Sequence, residues 1–111
     1  MLKWYKKLYI GDNAKKKASS IIRKINHKKV VPGVYLVTLA SNPENLLEII
    51  SADQLLQPAL RKLCPPIVGL AFGYEEAVDM IKEIVIQTYR DQKDTDVRGY
   101  LEQRNNEKSC R

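Results

Sequence analysis

The chain has 111 residues, a hydrophobic fraction of 44% and a net charge of +6 at pH 7, which suits one soluble domain able to bury a core without disulfides or a metal. Two cysteines, Cys64 and Cys110, are too few for a disulfide framework. No apolar run reaches the ~20 residues of a membrane span and no apolar stretch of ~7–15 residues follows Lys3, Lys6 and Lys7 as in a secretory signal, so a cytoplasmic protein with no membrane partner is expected.

Residues 7–11 (KLYIG) form a short apolar run ending in Gly-Asp-Asn, the pattern of a strand and a turn. Asp12 or Asn13 then caps a helix expected over residues 14–28, since a side-chain oxygen there accepts from the free N–H groups of the first turn. Ala18, Ile21, Ile22 and Ile25 make its apolar stripe, and Lys28 and Lys29 suit the negative end of its dipole. Pro32-Gly33 breaks the chain. Residues 34–40 (VYLVTLA) are nearly all apolar or β-branched, which predicts a strand buried on both faces.

Ser41-Asn42-Pro43-Glu44 combines an S-x-x-E cap with a proline in a first turn, so a helix is expected over 43–50. Ser51-Ala52-Asp53-Gln54 is a second helix start, and 53–63 reads as helical; Pro58 either kinks this stretch or opens a shorter helix, and Pro65-Pro66 stops it. Residues 67–72 (IVGLAF) are the third strand, with Gly69 inside it as a mark of close packing. Residues 74–90 give the clearest helix, with Ala77, Val78, Ile81, Ile84, Val85 and Tyr89 on its apolar stripe and Glu75, Glu76, Asp79, Lys82 and Glu83 outside it. Val97, Tyr100 and Leu101 suggest a last helical turn capped by Thr95 or Asp96, and residues 102–111 have the composition of a frayed tail.

Strands alternating with helices predict a single α/β domain over residues 1–101, βαβαβα, with a mostly parallel sheet of at least three strands in two or three layers. Val37, Leu39, Ile67, Val68, Leu70, Ile81, Ile84 and Val85 are expected to be buried together. In a parallel sheet the turns at residues 11–13, 41–43 and 73–75 share the carboxyl edge, where α/β proteins bind ligands and helix N-termini attract anions. Asn13, Ser41, Asn42 and Gly73 are therefore candidates for an anion site, while caps and tight turns account for the same residues. Neither a G-x-x-x-x-G-K-[ST] nor a G-x-G-x-x-G motif is present.

Charge is unevenly spread. Residues 1–33 hold ten bases and one acid, net +9, and residues 34–111 hold nine bases and twelve acids, net −3. Lys15, Lys16, Lys17, Arg23, Lys24, Lys28 and Lys29 decorate the first helix, and the spacing of Lys17, Lys24 and Lys28 puts those three on one helical face that could ride along phosphates. The same residues also suit a solvated surface. The tyrosines do not interleave with these lysines, so stacking on single strands has little support.

Catalytic groups do not assemble. His27, the only histidine, lies among lysines with no local carboxylate to orient it. Cys64 is near Arg61 and Lys62 but has no paired base, so it reads as structural. Glu75, Glu76, Asp79 and Glu83 lie opposite an apolar stripe and read as a wet face rather than a metal site. No catalytic residue, metal or cofactor is expected.

At residues 36–43 (LVTLASNP), 45–47, 55–58 (LLQP), 67–77 (IVGLAFGYEEA) and 96–101 (DVRGYL), the chain resembles a family of small bacterial α/β proteins with no assigned function. The likeness spans residues 8–101 and implies no activity, cofactor or catalytic residue. Three function classes follow from the residues themselves. The first is a non-enzymatic binding or regulatory protein using the basic helix on nucleic acid or an acidic protein. The second is a self-associating scaffold whose sheet edge or terminal helix pairs with another copy, a homodimer being expected to bury residues 74–90 or 97–101, and the third is a small-ligand or anion binder at the turns.

Overall fold

The two most apolar stretches become the inner strands of a four-stranded sheet in this computed structural model, which describes residues 2–39, 47–92, 97 and 99–101. In chain order the elements are β1 (Trp4–Ile10), a 3-10 turn (Lys15–Lys17), α1 (Ala18–Asn26), β2 (Val34–Leu39), β3 (Leu47–Ser51), a second 3-10 turn (Ala52–Leu56), α2 (Pro58–Lys62), β4 (Ile67–Phe72) and α3 (Tyr74–Gln92). Val97, Gly99, Tyr100 and Leu101 are also helical. No helix among the described residues is long and apolar enough to cross a membrane.

The strand order is β1-β4-β2-β3. β1 pairs with β4 in parallel, whereas β2 is antiparallel to both β4 and β3. This mixed, mostly antiparallel sheet corrects the expected mostly parallel βαβαβα arrangement. The error lies at residues 47–51, expected as the end of a helix. Their side chains alternate between faces: Leu47 and Ile49 pack with α3, and Ile50 packs with α1. Two adjacent β-branched isoleucines fit a pleated strand covered on both sides better than a helix needing one stripe. With a strand there, β2 pairs with its successor and must run opposite to it.

Helices cover both faces. Ala18, Ile21 and Ile25 of α1 pack with Ala52 and Leu55 on Val34, Leu36, Ile67 and Leu70. On the other face, Ala77, Met80 and Ile84 of α3, with Val97 and Leu101, cover Val37, Leu39, Val68 and Ala71. The residues expected to share one core are thus divided between two, and Ile81 and Val85 lie half-buried at the flank of α3. The inner line of α3 runs through Ala77, Met80, Ile84 and Thr88, leaving Tyr89 exposed. Thr88 is accommodated because its hydroxyl donates to the Ile84 carbonyl at 2.8 Å.

β4 carries a bulge. Its register against β2 jumps between Gly69 and Ile67 while β2 advances only from Val37 to Thr38. Val68 belongs to the core under α3, and the missing Gly69 side chain would point at the Met80 sulfur, so both residues face α3.

α1 is shorter than expected and ends in a Schellman arrangement. Lys28 N–H donates to the Ile25 carbonyl at 3.1 Å and Lys29 N–H to the Lys24 carbonyl at 2.9 Å, with Lys28 left-handed at φ 62°. Arg61 adds to this end, its Nη2 donating to the Asn26 carbonyl at 3.0 Å and, as a second donor, to the Ile25 carbonyl at 2.9 Å. This contact draws α2 beside the end of α1 and places a cation at its negative pole. The Trp4 indole donates to Asn26 Oδ1 at 2.8 Å, tying β1 to the same point. Pro58 opens α2 rather than kinking a longer helix, and the start at Ser51 forms a capping box with Gln54.

Because a lysine occupies the left-handed position that glycine prefers, Lys28→Gly should raise the unfolding free energy by about 1 kcal/mol. Chemical denaturation checks this, the expected sign being an upward shift of the midpoint with the slope unchanged.

Candidate functional site

Lys15, Lys16 and Lys17 occupy the first 3-10 turn, where successive side chains point about 120° apart. Arg23 and Lys24 lie in the last turn of α1, and Lys28 and Lys29 in its closing loop. All seven side chains are exposed. The single helical face expected for Lys17, Lys24 and Lys28 does not form, because Lys17 precedes α1 and Lys28 has left it. A broader basic flank takes its place. Lys15 contacts Asp12 at 3.3 Å, but with both side chains mostly in water that pair adds little stability. The other six have no ion-pair partner among the described residues.

At the carboxyl edge of the sheet, only β1 and β4 bring their ends together, since they alone of the expected strands are parallel neighbours. The end of β2 lies at the opposite edge, where Leu39 N–H donates to the Pro66 carbonyl at 3.1 Å beside the start of β4. The three expected turns are therefore not gathered at one place. Ser41 and Asn42 lie outside the described residues, as do the tail and the expected caps Thr95 and Asp96.

Between the ends of β1 and β4 is a cleft of ≈ 530 Å³, with Tyr9, Gly11, Asn13, Phe72, Gly73 and Met80 in its lining. Glu76 organises its floor. Oε1 accepts from Phe72 N–H at 2.8 Å and Oε2 accepts from Asn13 N–H at 3.0 Å, so one carboxylate joins the two strand-to-helix turns. Gly11 is required by this approach, since a Cβ there would overlap the Glu76 carboxyl group. Gly73 is held at φ +99°, a backbone shape that favours glycine, and its carbonyl receives the Ala77 N–H at 3.2 Å to begin α3.

Glu76 thus departs from the wet face expected of it, although Glu75, Asp79 and Glu83 are exposed. It is the third residue of α3, where a negative charge also suits the helix dipole. The Asn13 N–H proposed for an external anion is already taken by this internal one. Asp12, Glu75, Asp79 and Glu83 also line the cleft with Glu76, against Lys15 alone, so the cleft's field favours cations over anions. Among the described residues, no three His, Cys, Asp or Glu side chains are placed to hold a metal ion.

Cys64 is buried, its Sγ 3.3 Å from the Pro65 carbonyl. Burial pushes the thiol pKa up, and the nearby positive charges of Arg61 and Lys3 only partly oppose this. That is the setting of an inert thiol, not a nucleophile. His27 is exposed at the end of α1, with Nδ1 2.8 Å from the Arg23 carbonyl, to which it donates. The roles of Arg61 and Glu76 do not show in the sequence, because each makes a contact to a backbone group distant in the chain, Ile25 and Asn26 for Arg61 and Asn13 for Glu76.

Compared with known protein families, curated proteins and solved structures, the chain matches none. The resemblance to small bacterial α/β proteins gains no support from these comparisons.

Glu76→Gln keeps the shape but offers one acceptor to two N–H groups, and it should lower stability by about 1–2 kcal/mol; thermal unfolding of the two proteins at neutral pH measures the difference. In a Cys110→Ser background, the one remaining thiol should react with an aromatic disulfide reagent at least roughly tenfold faster in denaturant than in the native state. Equal rates would place Cys64 at the surface.

Proposed function

We propose that the protein is a non-enzymatic binding protein that presents residues 15–29 to an extended polyanion, either nucleic acid or an acidic protein. The observation that carries this reading is the exposure of all seven cationic side chains, Lys15, Lys16, Lys17, Arg23, Lys24, Lys28 and Lys29, with one weak ion pair among them. Cations left without internal partners keep their attraction for external anions. Their arrangement around a 3-10 turn and a helix end suits a backbone of repeated charges rather than one small ligand. Among the described residues no element is dedicated to base-edge recognition, so binding is expected to depend on charge spacing more than on nucleotide sequence.

Each phosphate neutralised releases counterions, so affinity for duplex DNA should fall steeply with salt, with a log–log slope reaching about −6 if all seven cations engage. Titration of labelled DNA, RNA and polyglutamate at several salt concentrations tests this. Replacing Lys15, Lys16 and Lys17 by alanine should flatten the DNA slope by about 0.9 for each lysine that made a contact. No binding to any of the three polymers at low salt would reject the reading.

A further inference from the structure

None of the five residues of α2 is buried. Leu60 is 42% exposed and Leu63, just past the helix end, is 78% exposed. Three positions apart, they fall within one helical turn and can contact the same surface. α2 is held by a polar contact instead, the Arg61 guanidinium on the carbonyls of Ile25 and Asn26. That contact places α2, with its two leucines, at the end of the molecule where α1 closes. Val31 N–H donates to Asp53 at 3.3 Å, which brings the loop against the second 3-10 turn and leaves Val30 59% exposed.

Exposed lysines border this apolar end. Lys28 and Lys29 belong to the closing loop and Lys62 to α2 itself, while the Lys3 carbonyl accepts from Ile67 N–H at 2.7 Å, which sets Lys3 beside the start of β4, just past the α2 segment. We propose that this end of the molecule rests on an anionic lipid bilayer, with Leu60 and Leu63 entering the headgroup–acyl boundary and the lysines facing the lipid phosphates.

Charge and composition select this occupant. A second copy meeting the patch across a two-fold axis would bring the same lysines face to face without counter-charges. Protein interfaces take their anchoring energy from aromatic residues and arginine and are depleted in lysine. Aliphatic side chains ringed by lysine are the composition of a segment lying in a membrane interface. Two leucines alone hold a membrane weakly, as do a few lysines, and the combination supplies both signals. That no helix among the described residues is long and apolar enough to cross a membrane bears on crossing a bilayer, not on resting against one.

Lys28 and Lys29 also belong to the polyanion-binding segment, but Lys3, Lys62 and the leucines do not, so the two activities separate by mutation. The test is co-sedimentation of the full chain with vesicles of phosphatidylcholine alone and with added phosphatidylserine. The expected result is pelleting with the anionic vesicles only, weakened by salt. Leu60→Ser combined with Leu63→Ser should lower vesicle partitioning by roughly tenfold or more. This variant should keep its circular dichroism spectrum and its affinity for DNA, and the Lys15, Lys16, Lys17 alanine variant should keep vesicle binding. Absence of pelleting at low salt overturns the proposal. So does equal pelleting by the leucine variant, which would mean adsorption by charge alone. A wild-type dimer that the leucine variant splits would assign the patch to a second copy and overturn it as well.

Discussion

β2 and β4 have almost no contact with water, and that constraint organises the rest of the molecule. Val34, Leu36, Val37, Thr38 and Leu39 of β2 and Ile67 to Ala71 of β4 are all buried. Strands covered on both faces need a helical layer on each side and a neighbouring strand at each flank. α1 with the second 3-10 turn supplies one layer, α3 with Val97 and Leu101 the other, and β1 and β3 become the edges. The direction of β2 then determines which strand ends can meet. Since β2 opposes both neighbours, the carboxyl edge holds the ends of β1 and β4, and the cleft forms there.

Much of this was legible residue by residue. Continuous apolar runs at 34–39 and 67–72 marked strands with two buried faces, and the period of 74–92 marked a helix. What failed was the step from buried to parallel. An antiparallel strand buried on both faces has the same apolar run, and the cue that separates the two cases lay in Leu47 to Ser51. There Ser41, Pro43 and Glu44 offered helix-start chemistry just upstream, and that local signal obscured the strand preference of Ile49 and Ile50. Arg61 and Glu76 were illegible for another reason. The contacts that give them their roles reach carbonyls or an N–H group 35 to 63 positions away, only the Glu76 bond to Phe72 being local. A pattern of side chains along the chain does not record such contacts until the strands are in order.

The electrostatic layout follows from the same strand order. By joining β1 and β4, the sheet sets the row Glu75, Asp79 and Glu83 near the turn that precedes Lys15. Acid and base therefore lie side by side on the molecule, although the sequence separates them into a positive third and a mildly negative remainder. Glu76 turns part of that acid inward, where it satisfies two backbone donors. The cations of residues 16 to 29 have no such internal use, and their charge is directed to solvent and to whatever approaches from it.

The bulge at Val68 and Gly69 has a consequence for how the chain can change in length. In a regular strand, losing one residue reverses the face of everything beyond it, so a deletion near Ala71 would set buried side chains against the wrong helix layer. At the bulge two successive residues already face α3. Removing one would restore ordinary alternation while Ile67 and Leu70 stay turned toward α1 and Ala71 toward α3. An inner strand is normally the least forgiving place for an insertion or deletion, and here it contains one position where the reading frame of the pleat is free to slip.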